Sequence, residues 1–136
     1  MHETLIKFKN DPSKVDINAT DSRNQQTVLH QAVILGNIDI VNALLARGAD
    51  INARDNSESR RPIHYTVKTP SILKILVTQP GIDINAKTDY NQTALFLACE
   101  SSGHIESVKI LLSLPNIEIN TKDNGGYTPL KAATGR

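Results

Sequence analysis

The sequence predicts an all-α solenoid of stacked helix-turn-helix units with hairpin-like loops between them, and three observations predict it. One short phrase recurs four times: DINATD at Asp16–Asp21, DINARD at Asp50–Asp55, DINAKTD at Asp83–Asp89 and EINTKD at Glu118–Asp123. Its asparagines, Asn18, Asn52, Asn85 and Asn120, stand 34, 33 and 35 residues apart. At that period each unit is one supersecondary element that buries its apolar face only by stacking on its neighbours. Between the phrases, apolar residues recur at helical spacing. Threonine, glycine and asparagine punctuate these stretches where helices begin and end. Such an architecture offers a long recognition surface rather than a catalytic pocket.

A single domain is expected over 1–136, opening on a half unit, 1–15, in which Thr4 to Lys9 reads as a second helix that covers the first apolar stripe. Full units follow at 16–49, 50–82 and 83–117, and 118–136 is an incomplete last unit. In unit one, Thr27 is a good N-cap, since its hydroxyl accepts from a backbone N–H left free in the first turn. Leu29, Ala32 and Val33 form its stripe, and Gly36 and Asn37 both tolerate the left-handed conformation that ends a helix. A second helix begins near Ile38, with Ile38, Val41, Leu44 and Leu45 on one face, and Gly48 stops it.

Unit three repeats the pattern: Thr93 caps, Leu95 and Ala98 pack, Gly103 and His104 turn, and Ile105, Val108, Leu111 and Leu112 make the second stripe before Pro115 and Asn116. Unit four opens with Thr128-Pro129-Leu130, where proline at the first helical position loses no hydrogen bond. Unit two is irregular. Arg61 replaces the threonine cap, at a cost of about 1 kcal/mol. Only 12 steps separate Arg61 from Leu73, against 14 from Thr27 to Val41 and 15 from Thr93 to Val108. The turn glycine is gone and Pro70 sits at the junction.

With its formal net charge of +1 and mixed signs along the chain, no whole-molecule field points to nucleic acid or membrane. One cysteine, Cys99, excludes an internal disulfide and fits a reducing compartment. No stretch approaches the roughly 18 apolar residues that span a bilayer, and the opening MHETLIKFKN lacks the apolar run of a secretory signal. A monomeric intracellular protein is expected, cytoplasmic or nuclear.

These residues resemble the ankyrin-repeat family. Thr27-Val28-Leu29-His30 with Ala32, Gly36-Asn37, Val41 with Leu44-Leu45, and Gly48-Ala49-Asp50-Ile51-Asn52-Ala53 match its motif in unit one. Thr93, Leu95, Ala98, Gly103-His104, Val108 and Leu111-Leu112 match in unit three, and Gly126-Tyr127-Thr128-Pro129-Leu130 with Ala132-Ala133 in unit four. The resemblance covers nearly the whole chain. It implies a non-catalytic module that binds another protein through its loops, or fingers, and the exposed side of its first helices. At the family's histidine position stand His30 and His64, but Phe96 and Lys131 elsewhere. Of the finger glycines only Gly126 remains, with Asn91 in its place in unit three. The loops before Thr27 and Arg61 are one residue longer than the later two. The family also implies that finger asparagines can be hydroxylated; Asn52 and Asn120, each with a leucine eight residues upstream (Leu44 and Leu112), fit best. Otherwise such amides hydrogen-bond backbone and fix the loop.

No nucleophile signature, phosphate loop or paired-carboxylate constellation is visible. His2, His30, His64 and His104 are scattered or periodic, which reads as structural rather than metal-binding, and Cys99 beside Leu95 and Ala98 reads as a small packed side chain. No enzyme, cofactor or metal is expected.

Aligned units give the candidate binding residues. After the asparagine stand Thr20, Arg54, Lys87 and Lys122; before the helix stand Gln26, Arg60, Gln92 and Tyr127; at the tips stand Asn56, Ser57, Asp89, Tyr90 and Asn124. The first column, extended by Arg60-Arg61, reads as a basic track for an acidic peptide or phosphate, or as solvated charge, because Asp21, Asp55, Glu58, Asp89 and Asp123 interleave. Tyr90 and Tyr127 are candidate hot spots. Ile34 and Leu35, where unit three has Glu100-Ser101, suggest a partner pocket or packing against the shortened unit two. Another protein is the expected partner, not membrane or nucleic acid. Two alternatives stand beside the interaction module. One is the targeting segment of a longer enzyme, or of a secreted microbial effector acting in a host cell, motivated by the incomplete last unit. The other is nucleotide or nucleic-acid binding through the basic track.

Overall fold

The computed structural model describes residues 2–11, 13 and 15–135. In chain order its elements are α1 (His2–Asn10), α2 (Val28–Leu35), α3 (Ile38–Ala46), a 3-10 helix (Pro62–Lys68), α4 (Pro70–Val77), α5 (Ala94–Glu100), α6 (Ile105–Leu112) and α7 (Pro129–Ala133). No strand occurs among the described residues; the loops are hairpins without a sheet, with one isolated antiparallel bridge between Thr20 and Thr27.

The period becomes two rows of helices. The first helices α2, the 3-10 helix, α5 and α7 pack one on the next, while α3, α4 and α6 form the second row, each against its own first helix. α1 covers α2 from the other side, and its Leu5 and Phe8 are buried in the core there. Two apolar clusters fill the space between the rows. One gathers Leu29, Val33, Val41, Leu44, Ile72 and Leu76; the other gathers Ile63, Val67, Leu73, Leu95, Ala98 and Leu111. The boundary between them runs through unit two, whose α4 sends Ile72 and Leu76 to one side and Leu73 to the other.

Capping follows the sequence in three units of four. The hydroxyls of Thr27, Thr93 and Thr128 accept from the N–H of His30 (3.3 Å), Phe96 (3.1 Å) and Lys131 (3.2 Å). Of Gly36 and Asn37, only Gly36 takes the left-handed turn, with φ 73°. Asn37, expected to share that role, has φ −87° and instead caps α3 by accepting from the N–H of Ile40 at 3.1 Å.

The second stripes differ from expectation. Ile38 is 39% exposed and Ile40 is buried in its stead; Ile105 and Leu112 are 67% and 52% exposed, leaving Ser107, Leu111 and half-buried Val108 facing inward. An apolar period tells which residues share a face, but the inward sector is set by the helices that cover it, here α2 and α4 for α3, and α4 and α5 for α6. Unit two's first helix is a 3-10 helix rather than an α-helix, yet Ile63, His64, Thr66 and Val67 are all buried.

Candidate interaction surface

Each finger is closed at its base by one backbone hydrogen bond: Asp21 to Gln26 (3.0 Å), Asp55 to Arg60 (2.9 Å), Thr88 to Gln92 (3.0 Å) and Asp123 to Tyr127 (2.9 Å). The first two enclose one residue more than the others, as the loop lengths require. Short loops of this kind turn through positive φ, and the residues that supply it are Gln25 (53°), the pair Glu58 (66°) and Ser59 (55°), Asn91 (59°) and Gly126 (83°). Asn91 thus stands in for the glycine, a role its short polar side chain tolerates.

An acceptor at the head of each finger organises the turn. Asp21 Oδ1 takes the N–H of Asn24 and Gln26, Asp55 Oδ1 that of Ser57 and Arg60, and Asp123 Oδ1 that of Gly125 and Tyr127, all at 2.9–3.1 Å. In unit three the Thr88 hydroxyl does this for Tyr90 and Gln92. Asp55 and Asp123, which the sequence offered as solvated charges among the basic residues, are therefore buried structural acceptors (4% and 8% exposed).

Neighbouring fingers are tied together. The N–H of Asn56 donates to Asn24 O (2.7 Å), that of Asp89 to Glu58 O (2.8 Å) and that of Asn124 to Tyr90 O (2.9 Å). Gln26 donates to Asp55 Oδ2 at 3.1 Å and Gln92 to Asp123 Oδ2 at 3.2 Å. Gln26 is buried and Gln92 half-buried, so these two members of the pre-helix column serve the row itself. Below the fingers the repeated asparagines stitch units together. The side-chain oxygens of Asn18, Asn52 and Asn85 accept from the N–H of Asp50 (2.8 Å), Asp83 (3.0 Å) and Glu118 (2.9 Å). Asn52 and Asn85 also donate to Gly81 O and Asn116 O. Of the two hydroxylation candidates, Asn52 thus has both ends of its amide engaged, whereas Asn120 is exposed.

The histidines lie inside this frame. His30 Nδ1 accepts from the N–H of Thr27 (3.1 Å) and its Nε2 bonds Arg60 O (3.0 Å), one unit on; His64 Nδ1 accepts from Arg61 N–H (2.9 Å) and its Nε2 bonds Ala86 O (2.9 Å). Burial lowers both from the ordinary imidazole value, His64 to about 4. Burial, reinforced by its bond to Asp55, raises the Tyr65 hydroxyl to about 12. Cys99 is half-buried, and that burial pushes its thiol up. His2 has a side chain outside the described set, and among the described residues no three His, Cys, Asp or Glu side chains gather where a metal ion could sit.

The other candidate residues divide by exposure. Arg54, Lys87 and Lys122 are exposed and make no ion pair among the described residues. Asn56, Ser57, Asp89 and Asn124 project from the tips, with Tyr90 49% exposed and Tyr127 half-buried. Arg60 is half-buried, held by Glu58 through two hydrogen bonds and lying 5.6 Å from the centre of the Tyr65 ring. Arg61 leaves the basic track altogether, its largely buried side chain reaching Asp83 at 3.3 Å. Ile34 and Leu35 stay 45% and 53% exposed and are not covered by unit two. Sequence reading missed the finger-to-finger role of the two glutamines and the buried bond from Ser107 Oγ to Val67 O (2.7 Å). The recurrence of Gln at 26 and 92, each one unit before an aspartate, was the available signal for the first.

A family model for ankyrin repeats in three copies matches residues 63–136, and a model for a single ankyrin repeat matches residues 24–56. Ankyrin repeat and SOCS box protein 6 of Pongo abelii is 33% identical over 93 residues, 67% of this chain and 22% of that protein. Transient receptor potential cation channel subfamily A member 1 of Homo sapiens is 32% identical over 102 residues, 74% of this chain and 9% of that one. Rabankyrin-5 of Homo sapiens is 38% identical over 69 residues, 49% and 6% of the two chains. The chain thus matches less than a quarter of the length of these relatives.

Proposed function

The chain belongs to the ankyrin-repeat family, and from that premise we propose that it is a protein-interaction module whose partner lies along the finger tips and the exposed side of the first helices. Ankyrin repeats generally bind other proteins and are typically non-catalytic. The observation that carries the reading is the row of fingers joined tip to tip by backbone hydrogen bonds. A stiff row holds Asn56, Tyr90 and Asn124 in fixed positions, so little conformational freedom is lost when a partner docks. Tyr90 combines a large apolar face with a polar tip, the composition of interface hot spots, and Arg54, Lys87 and Lys122 steer an acidic partner toward it. Affinity capture from the chain's own cell extract tests this: Tyr90→Ala combined with Arg54→Glu is expected to lose the specific partner, and full retention would move the site off the fingers.

The long relatives favour a second reading, in which the same module is the recruiting segment of a larger protein. Detection of the endogenous protein by mass at well above 14.9 kDa would select it. Either way the proposed setting is intracellular, where a free thiol such as Cys99 persists. No helix among the described residues is long and apolar enough to cross a membrane.

A further inference from the structure

A hollow of ≈ 430 Å3 opens across the first helices of units one, two and three. It lies where the tighter 3-10 helix of unit two stands between α2 and α5. The buried Val67 and Leu97 form part of its floor, and Ile34, one of the two unexpected apolar residues, stands exposed at its rim. Thr69 lines the wall, and its hydroxyl oxygen is buried with no hydrogen-bond partner among the described residues.

The charges at the rim are unequal in their commitments. Arg60 is neutralised by Glu58, and Glu100 has a partner of its own. Lys68 is exposed at the end of the 3-10 helix, and its ammonium makes no ion pair or hydrogen bond among the described residues. An apolar floor with an uncommitted cation beside it complements an aliphatic side chain adjacent to a carboxylate. In size the hollow lies near the lower end of ligand pockets, which run about 300–1,000 Å3, and so suits one or two side chains. Its occupant is a chain rather than a free small molecule, because Arg60 belongs both to the second finger and to the rim, making hollow and fingers one continuous surface.

We propose that the hollow docks one leucine- or isoleucine-sized side chain of an extended acidic segment in the partner protein, with a neighbouring carboxylate on Lys68. This rests on the interaction-module reading above and adds a specific pocket and partner chemistry to it. The test is a methyl- and amide-detected NMR titration of the full chain with a five-residue peptide carrying one leucine between paired glutamates. Shifts are expected at the methyl groups of Ile34, Val67 and Leu97. Lys68→Glu and Ser101→Trp, both at exposed rim positions, should each weaken binding about tenfold. A peptide with alanine in place of leucine should bind about tenfold more weakly or worse.

The proposal is overturned if those methyl groups do not move, if both variants bind within roughly twofold of the parent, or if the alanine peptide binds equally well. It is also overturned if lysine-flanked leucine binds as tightly, or if 4-methylpentanoate alone matches the peptide, which would make this a small-molecule site. Thermal unfolding of each variant controls for loss of fold. If the titration fails while captured partner is still lost on changing Tyr90 and Arg54, the hollow is wrong and the interaction reading stands. If both fail, the reading itself falls.

Discussion

α2 and the 3-10 helix occupy the same place in successive units, and they reach it by different chemistry. α2 has a threonine cap, a histidine returning its Nδ1 to the cap's own N–H, and Gly36 turning left-handed, with its own N–H closing on Val33 O and that of Asn37 on Ala32 O. The 3-10 helix keeps only the histidine: His64 still accepts from Arg61 N–H and still reaches one unit on. Between it and α4 only Thr69 remains. Pro70 offers no N–H to the carbonyl of Thr66, and it holds Thr69 out of the helical region, at φ −130° and ψ 78°. The final turn tightens instead, with Thr69 N–H bonding Thr66 O at 2.9 Å. A 3-10 helix also rises about 2.0 Å per residue against 1.5 Å in an α-helix, which lets a shorter segment span the unit. What survives such shortening is the contact that ties one unit to the next; what is dispensable is the local turn chemistry.

The tightened helix leaves a consequence in the neighbouring unit. Pro70 begins α4 at once, and the buried carbonyl of Val67 is met by Ser107 Oγ at 2.7 Å. Ser107 stands where α3 has the buried Ile40 and α4 the buried Ile72, so the polar residue belongs to α6, which packs on the irregular unit from the C-terminal side. Ser107→Ala should therefore cost about 1–3 kcal/mol, the penalty for a buried acceptor left unmet. Ser113→Ala, whose hydroxyl makes a similar bond to Ile110 O but is exposed, should stay within about 0.5 kcal/mol. Urea unfolding of the two variants checks this, and equal effects would mean that Val67 needs no such partner.

The histidines supply a prediction on which the two units agree. His64 titrates near 4 when folded and near 6.5 as a free side chain. Its depressed value means the unfolded chain binds the proton first, so its stabilising contribution is present above pH 6.5 and is lost as the pH falls toward 4. Between pH 7 and pH 5 this one group should remove roughly 2 kcal/mol of unfolding free energy. His30, lowered in the same direction, adds to the slope. His64→Gln should flatten it by the share of His64, measured as unfolding free energy against pH; an unchanged slope would mean the imidazole is not held neutral by the fold.

Much of this was legible in one dimension. The period, the caps at Thr27, Thr93 and Thr128, the stand-in role of Asn91 and the two longer fingers follow from residue types whose conformational preferences are local. The 3-10 geometry was not legible, because deleting residues from a turn announces a shortened path without saying which helix stretches to span it. Nor were the exposures of Ile38, Ile105 and Leu112, which depend on the helices across the interface. The candidate surface divided along the same line. Arg54, Lys87, Lys122 and Tyr90 are exposed as their columns suggested, whereas Gln92 and Arg61 met partners from the next unit that no single unit reveals.

The smallest expected effect addresses the cap itself. Thr27→Ala should cost about 1 kcal/mol, since it strips one of the two bonds at the start of α2. Arg61→Thr should return less than that to unit two, under about 1 kcal/mol, because the hydroxyl it supplies would add to a bond that the N–H of His64 already makes to Arg61 O at 3.0 Å. Two further terms enter. The ion pair with Asp83 is lost, but that carboxylate is 47% exposed and such pairs contribute little. The buried Arg61 Nε, which has no hydrogen-bond partner among the described residues, is removed, and that relief favours the variant. Against that relief stands the arginine stem, whose side chain is only 14% exposed, so threonine would give up the packing of its methylenes. A gain in melting temperature for Arg61→Thr would show that unit two is irregular at the expense of stability. A loss would show that the arginine has taken over by packing what the threonine does by hydrogen bonding, and the two units would then be alternative solutions to one constraint.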